Sequence, residues 1–228
     1  MDAMPRRAHA WPMQIAIGLY PGFTLLDWAG PYQVFTSVPG VDVVLAATTT
    51  EPVLDDHALV RVSPTHSFAD VRSPDVVMIP GGLGTRNVAD ARHPIVDWVR
   101  DVHERTTWTT SVCTGALVLG AAGLLDGLPA TTHWLSYGDL AGYGATPTEQ
   151  RVVKHGRIVT GAGVSAGIDV ALTMVAEIWG ADLAQAVQLG IEYDPQPPFD
   201  AGAPSKARPE IRALVESAMG ELMSKASV

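Results

Sequence analysis

Short, continuously apolar runs that each end in a turn of small residues recur along this chain and restrict it to a sheet buried on both faces. QIAIGLY (Gln14 to Tyr20) closes on Pro21-Gly22 and DVVMIPGG (Asp75 to Gly82) closes on its own Pro-Gly-Gly; TWTTSV (Thr107 to Val112), a further strand rich in threonine, runs into Cys113. A strand with one wet face would alternate apolar and polar residues; these do not, so helices must cover both sides. Helical spacing follows most of them. TLLDWAGPYQVFTSV carries Leu26, Val34 and Phe35 on one stripe, with Pro31 expected to fix a first turn or a break. HPIVDWVRDVHER repeats apolar residues at Ile95, Val96, Val99 and Val102, and VSAGIDVALTMVAEIWG places Ile168, Ala171, Leu172 and Val175 on one face. VDVVLAAT (Val41 to Thr48) reads as a second strand, and VVKHGRIVTGAG as two strands around His155-Gly156. PVLDDHALVRV reads as a small hairpin decorating an edge. The repeated order strand, loop, helix predicts an α/β fold with a mostly parallel sheet.

The length, with 47% hydrophobic and 17% charged residues, suits one large domain. Residues 1–12 read as a loose leader without the apolar run of a signal peptide, and residues 13–193 as the domain. Residues 194–228 read as a proline-rich arm and a helix from Glu210 to about Met223, packing on the domain or on a dimer partner. An excess of 24 acidic over 15 basic residues repels phosphate backbones, so no nucleic-acid partner is expected. No apolar stretch reaches the ~20 residues of a membrane span. A single cysteine forms no intramolecular disulfide, which fits a cytoplasmic protein with a free thiol.

That cysteine is flanked by Ser111 two residues before and Gly115 two after, the spacing of a nucleophile elbow, where a tight strand-to-helix turn excludes larger side chains. Such a turn puts the sulfur at the carboxyl end of the sheet, where α/β folds bind ligands. It sets the thiol against a helix amino end, expected to favour thiolate, with the N–H of Thr114 facing any developing anion. The competing reading is an ordinary buried cysteine. Asp27, just beyond the first strand, could equally be a helix cap. His133 beside Trp134 in ATTHW fits a packed, hydrogen-bonded histidine. Gly161-Ala162-Gly163 before Val164 has the wrong spacing for a dinucleotide loop and reads as close packing. His103-Glu104 lacks a second histidine four residues on, so no metal is expected.

TSVCTGALVLGAAGLLDGLPATTHW, with LLDWAGPYQVF, VVMIPGG, VVKHGRIVTGAGVSAGIDVAL and VQLGIEYDPQPPFDAG, resembles the ThiJ/PfpI superfamily, in particular its isocyanide hydratase branch. The resemblance covers Gln14 to about Ala203, with the motifs in order. It implies a flavodoxin-like three-layer sandwich that forms a homodimer. It also implies a cofactor-free reaction in which a cysteine adds to an isocyanide and water completes an N-substituted formamide. The nucleophile then falls on Cys113, its acidic partner on Asp27, an anion-binding N–H on Gly82, and the substrate pocket on His133, Trp134, Gly163 and Val164. Asp27 and the thiol are expected to share a proton. Thr114 stands where protease-like members carry histidine, which argues against peptide hydrolysis, and the His-x-Glu of related amidotransferases is absent. Other thiol chemistry on reactive carbonyls, or a redox or ligand sensor, stays open as an alternative.

Overall fold

The computed structural model describes residues 12–90 and 93–226, so the leader expected over 1–12 lies, but for its last residue, outside the described residues. The chain runs through β1 (Met13–Gly18), α1 (Leu25–Thr36), β2 (Val41–Ala47), the hairpin β3 (Val53–Leu54) and β4 (Arg61–Val62), β5 (His66–Ser67) and β6 (Val76–Ile79). It continues through α2 (Thr85–Asp90), α3 (Pro94–His103), β7 (Trp108–Ser111), α4 (Gly115–Ala121), β8 (Pro129–Ala130), α5 (Tyr137–Gly142) and β9 (Thr146–Pro147). Last come β10 (Val152–His155), β11 (Ile158–Gly161), α6 (Ala166–Trp179), α7 (Ala181–Gly190) and α8 (Pro209–Ala226).

Seven strands form one sheet in the order β10-β11-β7-β6-β1-β2-β5, parallel throughout except for the β10-β11 hairpin. Successive residues of β1 feed opposite cores. Ile15 and Ile17 join Phe35, Met174 and Val175 beneath α1 and α6, while Ala16 joins Ile95, Val99 and Leu117 beneath α3 and α4. Both faces of β1 and β6 are dry, which is why these two strands are almost wholly apolar. The result is the expected flavodoxin-like three-layer sandwich, with α2, α5 and α7 added to the helices read from the sequence.

Pro31 neither starts nor breaks α1, which runs through it. Proline removes the N–H that would bond to the Asp27 carbonyl four residues earlier. The helix tolerates this because Gly167 of α6 packs there: a Cβ on Gly167 would sit 3.0 Å from Pro31 Cδ and 3.2 Å from the Asp27 carbonyl oxygen. The buried face of α6 is Val170, Ala171, Met174 and Val175, with Ile168 and Leu172 only partly covered. The last helix begins at Pro209 and extends to Ala226, slightly longer than its apolar pattern indicated.

Candidate active site around Cys113

Cys113 follows β7, flanked in the sheet by β6 and β11, and adopts a left-handed backbone with φ +54°. A non-glycine residue in that region costs about 1 kcal/mol or more and persists only where its surroundings hold it. Here the N–H donates to the carbonyls of Gly161 and Ala162 at 3.1 and 2.9 Å, and Thr132 Oγ1 donates to the Cys113 carbonyl at 2.9 Å. Gly115 bears out the small-residue reading of the elbow, since a Cβ there would lie 2.2 Å from the Ile79 carbonyl oxygen. The cysteine is 5% exposed.

Asp27, third residue of α1, lies against the sulfur. Its Oδ2 accepts from the N–H of Gly81 at 2.8 Å, while Oδ1 has no conventional donor. Burial pushes this carboxyl up to about 7, with the charge of Asp56 adding to the rise and the Gly81 N–H and the Cys113 thiol opposing it. The thiol is itself driven well above its ordinary value, by burial first and the Asp27 charge second. Bonds from the N–H groups of Val164 and Thr114 to sulfur only partly compensate. The expected stabilisation of thiolate by the helix amino end is therefore outweighed: α4 is only two turns long, and the desolvation of sulfur dominates. Burial and the Asp27 charge thus favour the protonated form of the thiol, with one carboxyl group beside it.

Thr114 turns its hydroxyl away into a buried polar chain. Its Oγ1 accepts from the Gly82 N–H at 2.9 Å and contacts Thr85 Oγ1 at 2.8 Å, and Thr85 Oγ1 in turn contacts the Tyr20 hydroxyl at 2.7 Å. The Tyr20 hydroxyl also reaches the Pro80 carbonyl at 2.7 Å. The Gly82 N–H expected to face an anion is thus engaged by Thr114. The two N–H groups that reach the sulfur are those of Thr114 and Val164.

Cys113, Thr114, Gly82, His133 and Val164 line one cavity of about 130 Å³. Trp134 and Gly163 do not; they line a neighbouring cavity that shares His133 and Val164 as its wall. His133 caps the short 3-10 turn Trp134–Ser136, its Nδ1 accepting from the Leu135 N–H at 3.4 Å, and burial, with the Arg86 charge, lowers its pKa. Gly163 supports it by lacking a side chain, because a Cβ there would meet the ring at 2.8 Å.

Several lining residues escaped the sequence reading. The β3-β4 hairpin does not merely decorate an edge: its turn brings Asp56 and His57 to the cavity. The Thr24 hydroxyl, free of the usual capping role at the start of α1, donates to Asp56 Oδ2 at 2.5 Å, and the Asp56 N–H donates to the Phe23 carbonyl at 2.9 Å. Arg86 of α2 also lines the cavity, held by Asp139 and by Ser136 Oγ at 3.0 Å. The Asp-Asp pair was visible only as a turn signal, and nothing in LGTRNVAD marks its arginine. Among the described residues, no cluster of three or more His, Cys, Asp or Glu could hold a metal, and no helix is long and apolar enough to cross a membrane.

Comparison with known proteins places this geometry among relatives. The chain is 45% identical over 195 residues to isonitrile hydratase of Pseudomonas putida, covering 86% of this chain and 85% of that one. The crystal structure of a ThiJ/PfpI family protein from Pseudomonas syringae superposes with a TM-score of 0.88 at 40% identity, over 99% of this chain and 95% of that chain. Drosophila melanogaster DJ-1beta shares the fold, with a TM-score of 0.71 at 23% identity over 80% of this chain and 99% of that chain. The description DJ-1/PfpI family matches residues 13–177, the segment that contains Asp27, the elbow and most of the cavity wall, and the chain belongs to the DJ-1/PfpI family.

Proposed function

We propose that this protein hydrates isocyanides to N-substituted formamides through a covalent thioimidate on Cys113, with Asp27 moving every proton. The observation that carries the reading is the buried pair itself: a thiol held at an elbow beside a carboxyl group whose pKa is raised to about 7. Such a carboxyl is poised both to take and to return a proton near neutral pH. The groups acting on the sulfur are this carboxyl and two backbone N–H groups, and no imidazole is among them. The 45% identity to an isonitrile hydratase supports the choice of substrate.

An isocyanide carbon accepts a nucleophile and then needs a proton on the same atom. Asp27 takes the thiol proton as Sγ bonds to that carbon, then delivers it to the carbon, giving a thioimidate and a carboxylate. The carboxylate next removes a proton from water as its oxygen attacks the thioimidate carbon. The C=N electron pair moves to nitrogen, which receives that proton. Collapse of the tetrahedral adduct breaks the C–S bond, and the hydroxyl proton returns through Asp27 to sulfur. The sum is one isocyanide and one water giving one formamide. The Val164 and Thr114 N–H groups steady the sulfur when it carries charge, on attack and on departure.

The test is hydration of a simple isocyanide by the parent and by Cys113→Ala, with rapid-quench mass spectrometry of the parent. Loss of turnover in the variant, and an adduct on the Cys113 peptide heavier by the mass of the isocyanide, are expected. A Cys113→Ala protein as active as the parent would overturn the reading.

A further inference from the structure

The cavity over Cys113 is completed by two side chains from outside the family-matched segment. Met219 and Leu222 of α8 line it together with the cysteine, whereas the match to the family ends at residue 177. Three residues apart, they share one face of the helix. The same helix is fastened beside the cavity wall: the Arg212 guanidinium lies 5.8 Å from the centre of the Trp134 ring, and Ile211 and Val215 line a groove with Trp134. Much of the rest of α8 faces solvent, with Leu214 65% exposed. The helix therefore meets the domain along one edge, and part of that edge borders the reacting thiol.

Size and polarity bound what this space admits. An apolar cavity of about 150 Å³ holds one benzene molecule, and the space here is about 130 Å³. The polar side chains of the lining, Asp56, His57 and Arg86 among them, all belong to other elements, whereas α8 contributes a thioether and an isobutyl group. We infer that Met219 and Leu222 are specificity-determining residues that limit the substituent on the isocyanide nitrogen to a compact apolar group, a short alkyl chain or at most a single ring. This inference rests on the hydratase reading for its substrate, but the steric limit applies to any reagent that approaches Cys113.

The test uses the full chain and two independent readouts. Relative kcat/KM is measured for n-butyl isocyanide and 2-naphthyl isocyanide with the parent, Met219→Ala, Leu222→Ala and Leu222→Trp. One methylene in an apolar pocket changes discrimination by about 10-fold or more, so each alanine variant is expected to shift the ratio toward the naphthyl compound by at least about 10-fold. Leu222→Trp is expected to depress turnover of even the butyl compound. In parallel, alkylation of Cys113, the only cysteine, is timed with N-ethylmaleimide and with N-(1-pyrenyl)maleimide. The alanine variants are expected to accelerate the pyrenyl reaction selectively. An unchanged maleimide ratio in both alanine variants overturns the steric limit, whatever the enzyme's substrate. An unchanged isocyanide ratio in variants that hydrate both compounds overturns it equally. A parent that hydrates neither isocyanide while its variants open to pyrenylmaleimide leaves the steric limit standing and removes the hydratase reading.

Discussion

The N–H of Gly81 donates to Asp27 Oδ2 at 2.8 Å, and a single backbone donor is all that this wholly buried oxygen receives. Gly81 can approach so closely only because it lacks a side chain: a Cβ would lie 2.5 Å from the Thr114 nitrogen and 2.9 Å from Asp27 Oδ2. One N–H does not offset the desolvation of a carboxylate, and the pKa rises from 3.8 to about 7.

Stability should record that rise. A carboxyl whose folded pKa exceeds its unfolded value contributes stability below pH 3.8 that is lost as pH climbs through 7. Asp27→Asn keeps the acceptor for Gly81 without the charge. About three pKa units correspond to about 4 kcal/mol, so the variant is expected to be more stable than the parent by that order at pH 8 and to lose this advantage at pH 3.5. Urea denaturation at both values checks it, and equal stabilities at pH 8 would contradict it. Hydration by the same variant is expected to fall by roughly 10²–10⁴-fold.

The same titration should shape the rate. Below about pH 7 the Cys113 and Asp27 pair holds two protons and has no base to accept one from sulfur. Hydration is therefore expected to decline on the acid side of about 7. It should fall again only at strongly alkaline pH, when the last proton leaves; both apparent values belong to the pair. A kcat/KM profile from pH 5 to 10 reads this directly. A rate independent of pH between 5 and 8 would exclude Asp27 as the proton acceptor.

Much of this arrangement was legible because it follows from short-range rules. Full burial made β1 and β6 almost continuous apolar runs, and the elbow announced itself through the small residues Ser111 and Gly115 on either side of Cys113. Long-range effects were hidden. Pro31 looked like a helix boundary because its accommodation depends on Gly167, 136 positions later in the chain. The thiol looked activated by a helix end because its 5% exposure, which reverses the effect, comes from tertiary packing that the local sequence does not show. Asp27 was indistinguishable from a helix-capping acid without the family resemblance. Asp56 showed only as a turn residue, and Arg86, Met219 and Leu222 carry no local signal of a site, since only the fold brings the hairpin, α2 and α8 to one cavity.

Asp56 connects the hairpin to the Cys113 and Asp27 pair. Its side chain is 8% exposed, accepts from Thr24 Oγ1, and its charge raises the pKa of Asp27. Asp56→Asn preserves an acceptor for Thr24 while removing the charge. The acid limb of the rate profile is expected to move to lower pH, with maximal turnover changed less than in Asp27→Asn. An acid limb that stays in place would show that Asp56 positions the hairpin without acting on Asp27.

The geometry of the elbow can be tested apart from its chemistry. A Cβ on Gly115 would meet the carbonyl oxygens of Ile79 and Pro80 at 2.2 and 2.7 Å, and both belong to backbone that a side-chain rotation cannot move. Gly115→Ala must therefore shift α4 away from β6, carrying Thr114 and its N–H with it. Overpacking of this kind costs about 1–3 kcal/mol, occasionally more, so a drop of about 3 kcal/mol in unfolding free energy is expected. Gly138 supplies the control: on exposed α5, with nothing within 4 Å of its would-be Cβ, it sits where alanine is the better helix former. Gly138→Ala is expected to be neutral or more stable by about 0.5 kcal/mol. Urea denaturation of the two variants separates close packing from helix propensity. If Gly115→Ala were as stable as Gly138→Ala and alkylated at Cys113 at the parental rate, the turn would not be held by the contact with Ile79.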